Sequence, residues 1–351
     1  MRRSAYAAAH VAAFPDGSID WESTMRFREH LWAHGFGVAE AMDTAQRGME
    51  LSFGQARELI GRSAARAAEL GTVIASGAGT DQLPAGRYPL AGVIRAYADQ
   101  MEIVQACGSQ VILMASRALA VSARTAADYL EVYGQLLKLA DRPVLLHWLG
   151  AAFDPALRGY WGSEDFGAAA DTVIELAERA DGKLSGIKLS VLDAASEIAL
   201  RRRLPPGVRL YTGDDFNYAE LIKGDAEGHS DALLGAFAAV TAPAAAALQA
   251  LDKGDLDGFD SAIEPTVPLS RLIFAAPTHD YKVGVAFLAW LNGLQPHFAM
   301  LDRLQVRRPA AHLISVFELA AAARALLDPP LAVERMTEYL AGADRAGPER
   351  A

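Results

Sequence analysis

The sequence predicts a (β/α)8 TIM barrel followed by a helical extension, and three observations carry that prediction. Short apolar runs alternate with longer amphipathic stretches over residues 1–235. Strands that alternate with helices of this length form parallel sheets with right-handed crossovers. The first apolar run is followed by Phe14-Pro15-Asp16-Gly17 instead of the Gly-rich phosphate loop of a doubly wound sheet. Seven or eight such units in this length therefore favour a closed barrel.

Each predicted strand is a short apolar run bounded by turn-forming residues. Seven strands are clear, and the eighth, at Glu227–Ala232, is weaker because its surroundings are rich in Gly and Ser. The seven are predicted at Ala7–Ala13, Gly37–Ala41, Thr72–Ala75, Gln110–Met114, Val144–Trp148, Gly186–Ser190 and Val208–Thr212. Helices between them are predicted at Thr24–His34, Ser52–Leu70, Gly92–Cys107, Thr125–Ala140 and Phe166–Ala180.

The strand pattern stops near residue 235, and helical runs punctuated by Pro and Gly follow it. The sequence thus predicts a barrel catalytic domain over residues 1–235 and a helical domain over 236–341. The helical domain is expected to pack on the barrel or on a neighbouring subunit. The polar tail over 342–351 is expected to fray. Helical runs are predicted at Thr241–Lys253, Leu256–Phe274, Tyr281–Asn292, Pro309–Leu327 and Leu331–Leu340.

Charge and cysteine content exclude several classes of function. The net charge of −10 argues against nucleic acid and anionic membranes as partners, because both require clustered Lys and Arg. The single cysteine, Cys107, excludes an intramolecular disulfide and a Cys-based zinc site. No run approaches the roughly 20 apolar residues of a membrane span. We therefore expect a cytoplasmic protein that acts on a small molecule.

Lys188 is the most informative candidate residue, since reactive side chains of such a barrel project from the C-terminal ends of its strands. It lies in Gly186-Ile187-Lys188-Leu189-Ser190, an otherwise apolar strand. Burial of a lysine charge is costly unless the amine is paired or neutral. Only the neutral amine attacks a carbonyl to form a Schiff base. The alternative is a structural lysine that pairs with Asp214 or Asp215.

Six further strand-end residues, besides a histidine on the fifth strand, are candidates for the site. His147 lies one strand before Lys188 and is suited to proton transfer, although a satisfied core histidine is the alternative. Asp214-Asp215 could instead cap the next helix, the interpretation favoured for Asp215. The expected substrate-binding residues are Asp43, Thr44, Arg47, His10, Thr212 and Asp214.

A metal site is the competing interpretation of these strand ends. His10, Glu40, Asp43, His147 and Asp214 are residue types that bind Zn²⁺ or Mn²⁺. They come from separate strands and form no local ligand-spacing motif. A divalent cation is therefore expected only if the protein is a metal-dependent lyase or isomerase.

Five segments give the chain a family resemblance. They are Phe14–Asp20, His34–Val38, Gly186-Ile187-Lys188, Tyr211–Asp215 and Asp280-Tyr281-Lys282-Val283. From about Val11 to Gly293 the chain resembles the dihydrodipicolinate synthase / N-acetylneuraminate lyase superfamily of class I aldolases, as an uncharacterised divergent branch. The resemblance implies that Lys188 is the imine lysine and that the protein forms homodimers or homotetramers.

Departures from the family pattern bear on the substrate. The family's Gly-Thr-Thr-Gly-Glu loop aligns with Asp43–Arg47 and keeps only Thr44, and its catalytic tyrosine aligns with His147. The Tyr-bearing loop after the fourth strand reads Ala115-Ser116-Arg117-Ala118. The synthases' arginine after the fifth strand has no counterpart in Leu149–Ala152. Condensation of pyruvate with aspartate semialdehyde is therefore not expected.

Together these residues predict a Schiff-base aldolase, lyase or hydro-lyase without a cofactor. A small polar carbonyl compound, either a keto acid or a sugar-derived ketone, is expected to condense with Lys188. The imine then acts as an electron sink for C–C cleavage, C–C formation or loss of water. The intrinsic pKa of His147 would suit proton transfer near pH 7 better than that of a phenol. The alternatives are the metal-dependent enzyme and a non-catalytic ligand-binding protein on an aldolase fold.

Overall fold

The structure, a computed structural model, describes residues 3–43, 47 and 50–346. Eight strands in chain order close into a barrel, and the pairings between neighbours are parallel. This arrangement confirms the predicted (β/α)8 barrel. The strands are β1 (Ala5–Ala7), β2 (Gly37–Glu40), β3 (Ile74–Ala78), β4 (Gln110–Leu113), β5 (Val144–Leu149), β6 (Leu184–Ser190), β7 (Arg209–Thr212) and β8 (Asp231–Leu234).

The first strand ends earlier than the sequence predicts. The backbone carbonyls that follow it accept hydrogen bonds from side chains instead of from the backbone of a neighbouring strand. Beyond Ala7, the carbonyls of Ala8 and Ala9 accept hydrogen bonds from Lys282 Nζ at 2.8 and 3.0 Å. The carbonyl of His10 accepts one from Arg28. Buried carbonyls need such partners, so this stretch of apolar sequence is held without forming a ladder.

The eighth strand lies about three residues later than predicted, at Asp231–Leu234 instead of Glu227–Ala232. The polar residues before it form a turn: Asp225 Oδ1 accepts from the backbone N–H groups of Glu227 and Gly228. An aspartate that bonds its own backbone in this way competes with strand formation. Part of the sequence that was predicted as the eighth strand therefore belongs to this turn.

Eight helices accompany β1 to β7 in the described residues, and the five whose bounds were predicted begin and end within three residues of their expected positions. For α2, Ser52 accepts from the backbone of Gln55 while Gln55 bonds back to Ser52, a capping box that fixes the start of the helix. These helices are α1 (Trp21–Ala33), α2 (Phe53–Leu70), α3 (Leu90–Ala106), α4 (Arg117–Ser122), α5 (Ala126–Leu139), α6 (Phe166–Glu178), α7 (Ala194–Arg201) and α8 (Tyr218–Lys223).

Between β8 and residue 346, the last one described, the chain forms seven further helices. The predicted helix Leu256–Phe274 is divided in two by a 3-10 turn at Glu264–Thr266, where Pro265 lacks the N–H that an uninterrupted helix needs. The last helix continues beyond residue 341 to Ala346. The helices are α9 (Ala236–Ala239), α10 (Thr241–Asp252), α11 (Leu256–Ile263), α12 (Val267–Ile273), α13 (Lys282–Leu291), α14 (Ala310–Ala322) and α15 (Pro329–Ala346).

The chain divides into two compact units. One consists of residues 39–233, and the other of residues 1–38 together with 234–351. In the second unit, Arg308 binds the carbonyls of Ala275, Ala276 and Pro277. Within the described residues, no helix combines the length and the apolar character needed to cross a bilayer.

Candidate active site

Lys188 lies on β6 and extends into the barrel. It is aligned with His147 on β5 and with Tyr211 on β7, so these three side chains share one face of the sheet. The Nζ atom of Lys188 lies 3.7 Å from the sulfur of Met42, which follows β2 on the opposite side of the barrel. The side chain is 6% exposed. Lys188 thus presents its amine to the barrel interior.

His147 is the neighbour of Lys188 on β5 and is 2% exposed. Its Nε2 atom lies 3.2 Å from the hydroxyl oxygen of Ser190. Ser190 is two residues beyond Lys188 on the same strand and therefore points to the same face. Among the described residues, His147 Nδ1 has no hydrogen-bond partner. An amine, an imidazole and a hydroxyl thus lie together on β5 and β6.

The pKa of His147 is lowered well below 6.5, first by burial and then by the positive charge of Lys188. Burial disfavours the imidazolium ion, and a nearby cation disfavours it further. His147 is therefore neutral at pH 7. The pKa of His147 in the resting site is therefore lower than the intrinsic value of a solvated imidazole, and its predicted role in proton transfer stays a prediction.

Gly213, directly after β7, makes room for this cluster. A Cβ atom on Gly213 would lie 2.1 Å from Ser190 Oγ, 2.7 Å from Lys188 Cε and 2.8 Å from the carbonyl oxygen of Leu189. These separations are far shorter than van der Waals contact. Glycine is therefore the residue that lets the lysine and the serine keep these positions.

Thr212 and Asp214 mainly hold the loop after β7. Thr212 is aligned with Leu189, not with Lys188, so it lies on the other face of the sheet, and its hydroxyl accepts from the N–H of Asp214. Asp214 Oδ1 accepts from the backbone of Phe216 and Asn217. Asp214 thus caps this turn, a role that the sequence allowed for both aspartates and favoured for Asp215. The structure does not bring Thr212 together with Lys188.

Arg47 is held by the protein itself. Its five N–H groups are directed to both carboxylate oxygens of Asp81, to the carbonyls of Ala41 and Gly77, and to Gln100. Because all five donors are engaged, Arg47 serves as a clamp between loops in this structure. Its predicted contact with a substrate carboxylate stays a prediction.

Three predicted binding residues remain: Asp43, Thr44 and His10. The carbonyl of Asp43 accepts from the N–H of Arg47, and Thr44 lies outside the described residues. His10 belongs to the other compact unit, where its Nε2 is 2.6 Å from Gln295 Oε1 and burial lowers its pKa to about 3. His10 is thus a buried, neutral imidazole with a protein partner.

Residues for a metal are not grouped in the part of the chain that the structure describes: no three His, Cys, Asp or Glu side chains there could hold one ion together. Glu40, one of the candidates, accepts from the N–H of Ala41 and from the hydroxyl of Ser63. Its oxygens are therefore used within the protein.

Nearly the whole chain matches the model of one protein family. The model of the family described as "Protein of unknown function (DUF993)" matches residues 1–344. The chain belongs to that family. No curated protein matches it.

Solved structures similar to this one include several dihydrodipicolinate synthases. The enzyme from Thermotoga maritima is 13% identical with a TM-score of 0.72, covering 93% of this chain and 100% of its own. The enzyme from Aquifex aeolicus is 14% identical with a TM-score of 0.70, covering 93% and 99%. The enzyme from Acinetobacter baumannii, solved with pyruvate, is 17% identical with a TM-score of 0.67, covering 92% and 99%. At these identities the likeness confirms the predicted family of folds.

Three residues of the cluster escaped the sequence analysis as site residues: Ser190, Gly213 and Met42. Ser190 could have been found, because it lies two residues after a predicted reactive lysine on the same strand. Gly213 carried a weaker signal, as a glycine at a strand end. Met42 carried none, since it meets Lys188 only through the closure of the barrel.

Proposed function

We propose that this protein is a Schiff-base lyase or aldolase that forms its covalent intermediate on Lys188. The observation that supports the proposal best is the cluster on β5 and β6. It holds a buried lysine, a neutral histidine and a serine hydroxyl, in space that Gly213 leaves open. Buried reactive groups at a strand end are the usual arrangement of barrel enzymes.

The covalent step joins the lysine nitrogen to the carbonyl carbon of the substrate. The neutral amine of Lys188 attacks, and the carbonyl oxygen takes up a proton to give a carbinolamine. Loss of this oxygen as water leaves a protonated imine. The imine withdraws electrons from the adjacent carbon, so that a C–C or C–O bond at that position can break or form.

His147 and Ser190 move the proton in this scheme. A neutral imidazole accepts a proton, and the Ser190 hydroxyl, 3.2 Å away, can pass it to or from the carbinolamine oxygen. The positive charge of Lys188 is one of the two causes that lower the pKa of His147. When the amine becomes neutral to attack, that cause disappears and the imidazole becomes a stronger base.

Borohydride trapping tests the proposal. The purified protein is incubated with pyruvate, larger 2-keto acids and keto-sugars, reduced with borohydride, and digested for mass spectrometry. We expect one adduct on the peptide that carries Lys188. The mass of that peptide should rise by the mass of the substrate, minus one water lost on imine formation, plus two hydrogen atoms added on reduction.

Lys188→Arg is the control, because it keeps the positive charge and cannot form an imine under these conditions. Loss of the adduct in this variant supports the proposal. If no member of the panel modifies Lys188, or if the variant is modified equally, Schiff-base chemistry is ruled out for these compounds. A non-catalytic binding protein or a metal-dependent enzyme then becomes the better interpretation.

A further inference from the structure

A cavity of about 400 Å³ lies among the loops that follow β3 and β4 and is not used by the lysine cluster itself. That volume is in the range of small-molecule sites. Its wall is mostly apolar, and the apolar side chains that line it include Leu83, Pro84, Met114, Ala118, Val121 and Ala156. A sugar chain would leave several hydroxyl groups without partners against such a wall, which is costly.

The polar side chains that line the cavity are those of Arg47, Thr80, Asp81, Ser116 and Arg117, and the first and third of these bind each other. The hydroxyls of Thr80 and Ser116 are 2.6 Å apart, and Ser116 Oγ also accepts from the N–H of Leu119. One of the two hydroxyls donates its proton to the other. The proton of the second hydroxyl can then be donated to a ligand. Arg117, with its side chain 45% exposed, lines the cavity while its Nε binds Asp154. The cavity therefore suits an apolar group with one hydrogen-bond acceptor.

The wall around Ser116 is fixed from behind by buried tyrosines. The N–H of Ser116 donates to the hydroxyl of Tyr160 at 3.0 Å, and that hydroxyl lies 2.7 Å from the hydroxyl of Tyr133. Both tyrosines are buried, and burial raises the pKa of each hydroxyl well above 10. The cavity is thus a preformed feature held by satisfied hydrogen bonds.

Two methionines separate this cavity from Lys188. Met114 lines the cavity, and Gly77 lies between its sulfur and the Cα of Met42: a Cβ on Gly77 would be 2.6 Å from the first and 2.8 Å from the second. The sulfur of Met42 is in turn 3.7 Å from Lys188 Nζ. Methionine side chains are unbranched and adapt to the shape of a neighbour, so they can yield to a substrate.

We propose that this cavity binds the side chain of the carbonyl substrate, and that this side chain is an aliphatic or aromatic group larger than methyl. The proposal rests on the proposed function, since it takes Lys188 as the residue that binds the carbonyl. It replaces the sugar-derived ketone expected from strand-end polarity, because the cavity wall offers apolar contacts.

The test compares trapping of pyruvate and of 4-methyl-2-oxopentanoate on Lys188 as a function of concentration. We expect the wild type to reach half-maximal labelling at a roughly tenfold lower concentration of the larger acid, as extra buried methylene groups predict. Ala118→Phe fills the cavity and should abolish this preference. Val121→Trp, at a residue that is 39% exposed and tolerant of a larger side chain, is the second variant.

Ala120→Phe is the matched control, on the same helix but outside the cavity lining. Trapping of pyruvate without a preference for the larger acid overturns the cavity proposal and leaves the proposed function intact. A preference that survives both Ala118→Phe and Val121→Trp also overturns it.

If no member of the trapping panel, keto-sugars included, modifies Lys188, the proposed function fails and the cavity proposal is tested by direct binding. Trapping of keto-sugars but of no keto acid keeps the proposed function and overturns the cavity proposal. Calorimetry with 4-methylpentanoate, which has no reactive carbonyl, then serves as the readout. Binding that is lost in Ala118→Phe and Val121→Trp but kept in Ala120→Phe supports the apolar site. Absence of binding, or equal binding by all variants, contradicts it.

Discussion

At the scale of residues, the candidate site depends on one glycine. Lys188 and Ser190 occupy space that a Cβ on Gly213 would enter. The carbonyl of Leu189 lies as close, and a backbone atom cannot rotate away as a side chain can. Substitution of Gly213 must therefore move the backbone of β6, the loop after β7, or both.

Gly213→Ala is expected to leave the protein folded but to displace Lys188. A misplacement of about 1 Å can reduce a reaction rate by about 100-fold, and overpacking costs about 1–3 kcal/mol of stability. The rate of borohydride trapping and the melting temperature measure the two effects.

Gly134→Ala is the control for that change, because Gly134 lies in α5 and a Cβ there meets nothing within 4 Å. It should keep the trapping rate of the wild type. Unchanged trapping in Gly213→Ala would mean that the described packing around Lys188 is not required for the reaction.

At the scale of elements, Arg47 joins three parts of the barrel. Its donors reach the carbonyls of Ala41 after β2 and Gly77 in β3, the carboxylate of Asp81 after β3, and Gln100 in α3. The side chains of Arg47 and Asp81 are 2% and 15% exposed. The pair is therefore screened little by solvent, in contrast to surface ion pairs.

Arg47→Met should destabilise the protein by about 3–5 kcal/mol, the usual cost of removing one partner of a buried ion pair. The reason is that the Asp81 carboxylate and two backbone carbonyls would lose their donors. Chemical denaturation of the variant and the wild type measures the difference.

The comparison is Arg62→Met, which removes an exposed ion pair with Glu58 within α2. Exposed pairs contribute about 0–1 kcal/mol. Equal effects of the two substitutions would show that the buried clamp contributes no more than a surface pair does.

At the scale of the whole molecule, three buried groups make stability depend on pH. Burial lowers the pKa of His10 to about 3 and that of His147 well below 6.5. Burial raises the pKa of Glu197 from 4.5 to about 8. In Glu197, Oε1 accepts from the Ser230 hydroxyl, whereas Oε2 has no hydrogen-bond partner among the described residues.

The signs of these shifts predict a stability maximum near pH 6.5. Each histidine with a lowered pKa contributes stability that is present above pH 6.5. This stability is lost as the pH falls from 6.5 towards the pKa of that histidine in the folded protein. Glu197, with its raised pKa, contributes stability that is present below pH 4.5. This stability is lost as the pH rises from 4.5 to about 8. Each group contributes about 1.4 kcal/mol per pH unit in its window. Between pH 4.5 and 6.5 the two histidines outweigh the single glutamate.

Calorimetric melting temperatures between pH 5 and pH 8.5 test this expectation. Glu197→Gln resembles the protonated acid in shape and does not ionise. This variant should lose the decrease in melting temperature between pH 6.5 and 8, and keep the decrease that occurs as the pH drops below 6.5. A melting temperature that declines equally above pH 6.5 in variant and wild type would contradict a raised pKa of Glu197.

Association between chains belongs to the same scale. The predicted homodimer or homotetramer stays a prediction for this protein. Exposed apolar residues such as Val333 and Leu340 lie seven residues apart on α15 and therefore share one face of that helix.

The barrel, the positions of most strands and helices, and the placement of Lys188 and His147 on adjacent strands were predictable from the sequence alone. These follow from local periodicity, because apolar runs and helix caps act within a few residues of each other. The resemblance added the family of folds. The end of β1 and the start of β8 were misplaced because side-chain donors and an aspartate turn replaced strand pairing.

The surroundings of Lys188 depend on contacts that form only when the chain folds. Met42 meets Lys188 across 146 positions of sequence, and Gly213 limits the space of both Lys188 and Ser190. Arg47 proved to be a clamp because its acceptors come from three separate elements. The neutral state of His147 and the apolar cavity depend on burial by distant parts of the chain. Such features arise from contacts between residues remote in sequence, which local patterns do not encode.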